Sequence, residues 1–588
     1  MKTILEILSE ECKGAFAKRG YAAGQARAVA STRPDLCEYQ CNGALAAAKA
    51  YKKNPMDIAQ EVAEELRENP VFEKVEALKP GFINFNLSNG FLASHLREMA
   101  GEERFGIREG KKEKIILDYG GANVAKPLHI GHLRSAVIGE SMKRLGAFLG
   151  NEVMGDVHLG DWGLQMGLII AALKEEQPGL VYFQEGYEGE YPTEPPFTLS
   201  ELERIYPQAS KRAKEDGAFR EGAQRATFLL QTGHRGYRAL WRHIIDLSVA
   251  DLKKNYGALD VHFELWKGES DAQPYIPGVI QDLKDKGIAR VSEGALVVDI
   301  AMEGDKKEYP PCIIQKSDGA ALYATSDLGT LVEREMLYAP DKYIYVADKR
   351  QQLHYTQFFR VAKLAGIVPK ERELIYIGFG TMNGKDGTPF KTRDGGVMRL
   401  ENLIEDVNRS VYERIMLSRA VSSEEAWETA RQVGLAAIKY GDLSNQTSKD
   451  YIFDIDRFTS FEGNTGPYIL YTIVRIKSIL AKYRETSSKE VSLQALGEAK
   501  SLQQKRLYLE ISRFPEVMEG AWESLELHRI CQYVYALSNA LNSFYHEVKI
   551  LGETDEEKKQ SYLAGILLTK EILESAIHVL GISAPDKM

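Results

Sequence analysis

The chain of 588 residues has few cysteines and no long uncharged apolar run. Five cysteines in a chain of this length exclude a small disulfide-stabilised scaffold. Cys37 and Cys41 lie close in sequence, but no second Cys or His pair near them completes a tetrahedral site, so we expect no structural zinc. Because a bilayer-spanning helix needs about 18 or more consecutive apolar residues, we also expect no membrane span.

An excess of basic residues is also missing, since the net charge is −9. Phosphate contacts supply much of the affinity for nucleic acid, so this charge argues mildly against such a partner. Net charge does not report how charge is distributed, however, and an acidic protein can carry a basic face. Residues 1–10 include acidic side chains where a signal peptide needs an apolar stretch, and we expect a cytoplasmic protein.

The length and pattern of the chain predict several domains of the α/β and helical classes. With 44% apolar and 27% charged residues, the composition is that of globular proteins. Residues 71–87 alternate around Pro80-Gly81 and predict a strand pair, whereas residues 185–198 are typical of a surface insertion. We predict an N-terminal α+β domain at 1–110, a parallel-sheet α/β domain at 111–400, a helical connector at 401–461 and an all-helical domain at 462–588.

The most informative segment is residues 123–132, NVAKPLHIGH. A buried strand is predicted before it at 114–119, and an amphipathic helix after it at 133–149. His129 and His132 would share one face of that helix, and Gly131 would leave room for a ligand. Free N–H groups at a helix start favour an anion, and two imidazoles suit a phosphate that gains charge. The alternative is a chance histidine pair on a surface helix.

Three further sets of residues are candidates for carrying chemistry. Residues 158–165, HLGDWGLQ, follow a second predicted strand, and their simpler interpretation is a tight turn with Trp162 in the core. Asp118, Glu269 and Asp327 stand at apparent strand or turn ends, where each alone could be a solvated or capping carboxylate. The glycine-rich basic stretch 380–396 could be an ordinary solvated hairpin.

Residues 123–132 resemble the HIGH signature of class I aminoacyl-tRNA synthetases, and their flanks resemble the arginyl enzymes in particular. Residues 158–165 are similar to a segment that lines the active site in that family. The segments 33–36, 42–45, 80–84 and 580–588 resemble its terminal domains, so the likeness extends over the whole chain. It implies a Rossmann-type catalytic domain, an N-terminal domain that contacts the tRNA elbow and a C-terminal anticodon-binding domain.

The resemblance implies that six residues hold the arginine substrate. Carboxylates suit a guanidinium, because its planar fork donates paired hydrogen bonds and keeps its charge. A site that leaves buried acceptors unpaired with a wrong substrate needs no editing step. Residues 120–122, Gly-Gly-Ala, depart from the commoner Ser-x-Pro of the family. The implied arginine-binding residues are Asp118, Asn123, Glu269, Tyr323, Asp327 and Gln351.

The same resemblance places ATP between the histidine segment and residues 380–396. The usual KMSKS signature is absent, residues 389–393 occupy its place, and the lysine before HIGH is thought to compensate in such enzymes. Mobile cations there would act by positioning and by charge neutralisation. The implied catalytic residues are Lys126, His129 and His132, and the implied ATP-binding residues are Pro127, Gly131, His132, Met382, Lys391 and Arg393.

In the C-terminal domain the resemblance places Tyr468, Tyr471, Tyr545 and Met588 against the anticodon loop. Splayed RNA bases stack well on tyrosine rings. The simpler interpretation of Tyr468 and Tyr471, three residues apart at a predicted helix start, is packing within the bundle.

The implied reaction joins L-arginine to tRNA(Arg) at the expense of ATP, with Mg2+ as cofactor, no protein-bound metal, and tRNA required for activation. We expect a monomer. Two alternatives remain open at this point: a smaller nucleotidylyltransferase with a His-x-Gly-His motif, and a non-catalytic tRNA-binding relative.

Overall fold

The computed structural model describes residues 1–317, 319–388, 398–418, 422–487 and 489–588. These residues form two compact units, Lys111–Thr459 and a second unit made of Met1–Gly110 and Ser460–Met588. The N-terminal and C-terminal regions therefore share one unit. The four domain boundaries derived from the sequence remain our proposal.

The N-terminal region is a four-stranded antiparallel sheet with helices. Its strand order is β1-β2-β4-β3, and β3 and β4 confirm the strand pair predicted at residues 71–87. Its elements are α1 (Ile4–Lys18), β1 (Ala28–Ala30), β2 (Tyr39–Cys41), α2 (Gly43–Tyr51), α3 (Pro55–Leu66), β3 (Phe72–Leu78), β4 (Phe82–Leu87) and α4 (Asn89–Gly101).

The unit Lys111–Thr459 alternates strands and helices. In chain order these are β5 (Lys114–Asp118), α5 (Ile130–Phe148), β6 (Glu152–Asp156), α6 (Leu164–Glu176), α7 (Leu199–Glu215), α8 (Gly217–Gln231), α9 (Arg235–Ala258), α10 (Glu269–Ala272), α11 (Ile276–Asp285), β7 (Ala289–Ser292), β8 (Ala295–Val298), β9 (Cys312–Gln315), α12 (Tyr323–Leu337), β10 (Lys342–Asp348), α13 (Gln352–Ala365), β11 (Glu373–Phe379), β12 (Met382–Asn383), α14 (Leu400–Ser418), α15 (Ser423–Leu443), β13 (Tyr451–Ile452) and α16 (Ile455–Phe458).

The central sheet of this unit is parallel, with the strand order β11-β10-β5-β6. The chain moves from β5 to its neighbour β6 on one side and later returns to β10 on the other side. The carboxyl end of β5 is therefore a topological switch point, where open α/β sheets bind ligands. Ile116, Tyr343 and Phe358 lie in the buried core between this sheet and its helices. The fold class predicted from the sequence is confirmed.

Two details of this unit bear on the sequence predictions. Residues 185–198 contain no helix or strand, as expected of an insertion. The predicted helical connector contains the short strand β13, which pairs in parallel with β12. A helical pattern did not reveal β13, because the pairing partner that fixes it lies far away in sequence.

The C-terminal region consists of long helices, as predicted. They are α17 (Gly466–Ser487), α18 (Leu502–Ser512), α19 (Phe514–Ser524), α20 (His528–Glu547) and α21 (Glu556–Val579). Within this unit, the buried Lys505 of α18 joins the helices to the N-terminal sheet, since its Nζ lies 2.8 Å from Glu38 and from Glu73. Of the helices in the described ranges, none combines the length and apolar character that crossing a membrane requires.

Candidate active site

Two aspartates at the carboxyl end of the central sheet share a buried arginine. Asp118 ends β5 and Asp156 ends β6, and one guanidinium nitrogen of Arg334 lies 2.5 Å from a carboxylate oxygen of each. A second nitrogen donates to the Tyr345 hydroxyl at 3.0 Å. Burial raises the pKa of Asp118, and Arg334 opposes that shift. Asp118, predicted to bind the substrate, thus already pairs with a guanidinium of the protein, and its contact with substrate stays a prediction.

The segment 158–165 holds the loop that carries Glu269. Leu159 pairs with Gly268 in a parallel bridge. The buried Asp161 accepts hydrogen bonds from the Ser270 amide at 2.9 Å and from the Ser270 hydroxyl at 2.6 Å. These contacts place Glu269 at the start of α10. Two motifs that the sequence analysis treated separately therefore form one structure.

Trp162 in the same segment is buried, as its simpler interpretation predicts. Its indole also donates to Gln273 at 3.1 Å, at the end of α10. The Trp162 side chain therefore both packs in the core and supports the loop that carries Glu269.

The pKa of Glu269 is raised, as is that of Asp118. Burial and, to a smaller extent, the neighbouring carboxylates of Asp161 and Asp327 together raise the pKa of Glu269 to about 7. Like charges close together disfavour ionisation, so a cation that binds beside Glu269 would favour its ionised form and lower its pKa. The structure therefore brings Glu269 and Asp327 close together; their contact with a guanidinium substrate stays a prediction.

Asp327 has a partner that the sequence analysis missed. The Nε2 atom of His354, on α13, lies 2.5 Å from Oδ2 of Asp327, on α12. This contact leaves the other carboxylate oxygen of Asp327 for a ligand and fixes its direction. Arg334 was also missed. A signal was available for both, since His354 stands three residues after Gln351 and Arg334 stands seven residues, two helical turns, after Asp327.

The remaining predicted arginine-binding residues lie on segments around these carboxylates. Asn123 forms a parallel bridge with Gly160, where a Cβ atom would collide with the Asn123 side chain. Tyr323 is 72% exposed at the start of α12. Its pKa is raised by partial burial and by the Glu269 carboxylate. Gln351 is exposed just before α13. The roles of these three side chains in binding arginine stay predictions.

Gly120 is the first residue of the stretch that departs from the family's usual sequence before Asn123. Its φ angle is +73°, in the left-handed region that favours glycine. A Cβ atom there would lie 2.9 Å from the Phe263 ring. The local backbone of this chain therefore favours glycine at this position.

The two histidines of the HIGH-like segment lie together at the start of α5. Their ring centroids are 4.0 Å apart. The Gly131 amide donates to Nδ1 of His129 at 3.0 Å, and the His129 amide donates to Nδ1 of His132 at 3.2 Å. Because Nδ1 of His129 accepts, the proton of that neutral imidazole is assigned to Nε2, where it can be donated to a ligand. Nδ1 of His132 also lies 3.3 Å from the His129 carbonyl, and the shorter contact with the His129 amide assigns its proton to Nε2 as well.

Both histidines are neutral near pH 7. Burial, together with the neighbouring His129 and Lys126, lowers the pKa of His132 to about 3. Burial and Lys126 also lower the pKa of His129. The rings can thus act as hydrogen-bond donors to phosphate without carrying a positive charge.

The helix start itself differs from the sequence prediction in one respect. We expected its free N–H groups to bind an anion, but the first three are already used: Ile130 donates to the Met398 carbonyl at 3.1 Å, Gly131 to His129 Nδ1, and His132 to the His129 carbonyl at 2.9 Å. The expectation of free amides is wrong, because the segment caps its own helix. An anion here would contact the rings.

The other predicted ATP-binding residues surround this helix start. Lys126 lies over the Tyr206 ring, 4.7 Å from its centroid. Pro127 is half-buried, and Met382 is buried on β12. A Cβ atom on Gly131 would lie 2.7 Å from the His129 ring, so glycine lets that ring take its place. Lys391 and Arg393, within the 389–393 stretch, lie outside the described residues.

Arg134 connects the HIGH-like helix to the segment that leads towards residues 389–393. Its buried guanidinium donates to Asp442 at 2.9 Å, to the Gly380 carbonyl at 2.7 Å and to the Lys449 carbonyl at 3.0 Å. All three partners are distant in sequence. No local pattern could have identified Arg134 as a structural centre.

The predicted tRNA-binding residues lie in the other unit, where we define an aromatic face by Tyr468, Tyr471, Arg475 and Tyr545. The Arg475 guanidinium lies over both Tyr471, at 4.8 Å, and Tyr545, at 5.5 Å. These two tyrosines are 39% and 37% exposed. Tyr468 is half-buried and its hydroxyl binds Asn539 and Asn542, contacts that fit the packing alternative.

The chain end lies against the same helix, α17. Lys477 of α17 donates to the Ala584 and Pro585 carbonyls at 3.3 Å and pairs with Asp586 at 3.2 Å. These contacts direct the tail that ends at the half-buried Met588. The tRNA contacts of all four predicted residues stay a prediction.

Family models match three parts of the chain. Residues 96–455 match the class I (R) tRNA synthetase catalytic domain. Residues 469–588 match the DALR anticodon binding domain, and residues 2–87 match the arginyl tRNA synthetase N-terminal domain. These ranges cover nearly the whole sequence in order.

Curated relatives and solved structures agree with these matches. The chain is 57% identical to arginine–tRNA ligase of Agathobacter rectalis and 52% identical to that of Alkaliphilus oremlandii, each over 100% of both chains. The fold is similar to arginyl-tRNA synthetase from Plasmodium falciparum, with a TM-score of 0.83 at 25% identity over 100% of both chains. The Thermus thermophilus enzyme shares the fold, with a TM-score of 0.77 at 21% identity, again over 100% of both chains. This chain belongs to the arginyl-tRNA synthetases, a family of class I aminoacyl-tRNA synthetases.

Proposed function

We propose that the chain is an arginine–tRNA ligase that activates L-arginine with ATP and transfers it to tRNA(Arg). The observation that carries the proposal is the convergence of Glu269 and Asp327 beside the carboxyl end of β5, in the unit that also holds the neutral His129–His132 pair. Carboxylates recognise a guanidinium, and neutral donors recognise a phosphate that gains charge. Such a site suits both substrates of an adenylation reaction.

Arginine binding depends on the two carboxylates. Glu269 ionises when the guanidinium arrives, because a nearby cation lowers the pKa that burial raised. Asp327, fixed by His354, accepts from a second guanidinium nitrogen. Asn123 holds the α-amino or carboxylate end, Tyr323 covers the side chain, and Gln351 and Asp118 complete the set.

In the first step an arginine carboxylate oxygen forms a bond to the α-phosphorus of ATP. The bond between that phosphorus and the bridging oxygen to the β-phosphate breaks, and pyrophosphate leaves with the electron pair. His129 and His132 donate from Nε2 to the phosphate oxygens, and Lys126 neutralises the departing pyrophosphate. Pro127, Gly131 and Met382 line the nucleotide site, and Lys391 and Arg393 are the further ATP-binding residues that the family resemblance implies.

A Mg2+ ion bound with ATP would neutralise part of the phosphate charge. The protein's own contribution is to hold the two reactants in line, which supplies several kcal/mol without any nucleophile on the enzyme.

In the second step the 2′-hydroxyl of the terminal adenosine of tRNA attacks the carbonyl carbon of arginyl-adenylate. The ester bond to tRNA forms, the bond to the phosphate oxygen breaks, and AMP leaves. Tyr468, Tyr471, Tyr545 and Met588 contact the anticodon loop by stacking and packing. We further propose that the enzyme is a cytoplasmic monomer and that it needs tRNA for activation.

The same findings argue against the two alternatives, a smaller nucleotidylyltransferase and a non-catalytic tRNA-binding relative. The arginine–tRNA ligases of A. rectalis and A. oremlandii align with this chain over 100% of its length. A smaller nucleotidylyltransferase has no use for the carboxylate pocket or the helical C-terminal region. A non-catalytic relative would not need Asp327 fixed by His354 beside the partly buried Glu269.

ATP–pyrophosphate exchange tests this proposal. We expect exchange with arginine and none with lysine, and we expect it only when total tRNA is present. Lysine is the matched control, since it carries the charge without the planar fork. Exchange with lysine would contradict the proposed pocket, and exchange without tRNA would contradict only the tRNA requirement. A folded protein that binds tRNA yet exchanges with neither amino acid would be a non-catalytic relative.

A further inference from the structure

The side chain of Lys126 is held by an aromatic ring and not by a carboxylate. Its Nζ atom lies 4.7 Å from the centroid of the Tyr206 ring. Within the part of the chain that the structure describes, Lys126 forms no ion pair. A carboxylate would neutralise the ammonium and compete with a phosphate for it. A ring attracts the ammonium through its quadrupole and leaves its charge available.

The backbone at Lys126 is fixed from the other side. Ala125 has a φ angle of +59°, an uncommon conformation for a residue with a side chain. Its amide donates to the buried Ser248 hydroxyl at 2.9 Å, and that hydroxyl donates to the Ile244 carbonyl at 2.6 Å. The start and the end of the Lys126 side chain are thus both constrained.

The helix that carries Tyr206 is itself tied to the histidine segment. Glu203 stands three residues before Tyr206 on α7, and its carboxylate pairs with Arg399 at 2.9 Å. Arg399 forms an antiparallel bridge with His129. The buried Leu202 and Ile205 anchor the same part of α7. Tyr206 therefore belongs to a fixed support, not to a freely moving loop.

We propose that Tyr206 positions Lys126 for the adenylation step. The ring keeps the ammonium directed for the polyphosphate while leaving it charged, so the entropic cost of ordering a long side chain is met before ATP binds. This inference rests on the proposed function, in which Lys126 neutralises pyrophosphate. Tyr206 is a positioning residue, since it acts through Lys126.

The test compares Tyr206→Leu with Tyr206→Phe in ATP–pyrophosphate exchange with arginine and tRNA. Leucine keeps an apolar side chain but removes the ring, and we expect it to lower kcat about fivefold to tenfold with the KM for arginine unchanged. Phenylalanine keeps the ring and should retain most of the rate. Equal loss in both variants would contradict the proposal.

Phe219→Leu is the matched control for damage to the helix pair. Phe219 is buried in the small α6–α7–α8 core against which Tyr206 packs, and the Arg212 guanidinium lies 4.3 Å from its ring centroid. Phe219→Leu loses a contact between a cation and an aromatic ring, as Tyr206→Leu does, and it does so in the same packed region but away from Lys126. We expect its exchange rate to equal that of the wild type. A loss equal to that of Tyr206→Leu would show a general effect of loosening α7 and overturn the inference.

A double-mutant cycle with Lys126→Ala separates this inference from the proposed function. If Tyr206 acts through Lys126, Tyr206→Leu will cause no further loss in the Lys126→Ala protein. Additive losses would overturn the inference while leaving the role of Lys126 intact. An unchanged rate for Lys126→Ala alone would instead contradict the proposed role of the lysine, and the inference with it.

Discussion

The proposed arginine pocket, formed by Glu269 and Asp327, and the aromatic face are built on opposite principles. In the proposed pocket both carboxylates are partly buried; His354 directs that of Asp327, and the contacts of Asp161 with Ser270 hold the segment that carries Glu269. On the aromatic face, Tyr471 and Tyr545 are exposed rings that share a single guanidinium, that of Arg475. The proposed pocket relies on few charges in a partly buried environment. The aromatic face relies on several weak contacts of exposed side chains.

The difference teaches where a single substitution should matter most. Charge interactions strengthen as the dielectric constant falls, so loss of one carboxylate from the pocket leaves a guanidinium without its counter-charge. Stacking on an exposed ring is shared among neighbours, so loss of one ring is partly compensated. Four predictions test this comparison, from the largest expected effect to the smallest.

Glu269→Gln should raise the KM for arginine about 500-fold, because the variant keeps the shape of the side chain but removes its charge beside a buried cation. The measurement is ATP–pyrophosphate exchange at saturating ATP and tRNA. Glu293→Gln, on the exposed turn between β7 and β8, is the control and should behave as the wild type. If the KM for arginine rises only a few-fold in Glu269→Gln, the loss of one charge from the pocket matters no more than the loss of one ring from the aromatic face.

His132→Ala should lower kcat for adenylation about a hundredfold, because it removes one donor aimed at the developing phosphate charge. Its KM for arginine should change little, since the imidazole is assigned to the nucleotide. Single-turnover formation of arginyl-adenylate measures this directly, with circular dichroism to verify folding. Wild-type turnover would exclude the assigned role.

Arginine affinity should fall as the pH falls through about 7. The pKa of Glu269 is raised to about 7 in the empty pocket, mainly by burial, so below that pH the group is mostly protonated and must lose a proton to bind the guanidinium. Between about pH 8 and about pH 6 the KM for arginine should rise about tenfold. Glu269→Gln cannot titrate and should give a flat profile over this range. A persistent slope in that variant would assign the titration to another group.

Tyr471→Ala should weaken tRNA binding about fivefold and leave tRNA-independent properties such as ATP affinity unchanged. Nitrocellulose filter binding at fixed salt measures the Kd. Tyr471→Phe, which keeps the ring beside Arg475, should lie much closer to the wild type. If both variants bind as the wild type does, Tyr471 serves the packing of α17, and the aromatic face loses one of its members.

Much of the fold followed from the sequence, because periodicity and turn residues are local. The strand pair at residues 71–87 and the helix from Ile130 to Phe148 were both predictable in this way. The strand β13 was not, since its ladder with β12 depends on residues far apart in sequence.

The site was predictable as a set of residue types but not as a set of contacts. The pairing of Asp161 with Ser270 spans more than a hundred residues, and no spacing rule predicts it. The guanidinium that Asp118 binds in the structure is that of Arg334, which has the same chemistry as the expected substrate. Residue chemistry alone could not distinguish an internal partner from an external one.

The imidazole of His129 also acts as a spacer. It accepts the Gly131 amide at Nδ1 and presents a donor at Nε2, on the far side of a rigid ring. The hydrogen-bond donor offered at the N-terminal end of α5 therefore lies farther from the backbone, by the width of that ring. An asparagine side chain could also accept and donate. Its Oδ1 and Nδ2 atoms are bonded to the same carbon, however, so its donor would reach less far than Nε2 of the histidine. The signature thus specifies a length as well as a chemistry, since the width of the ring separates the backbone from the outer donor.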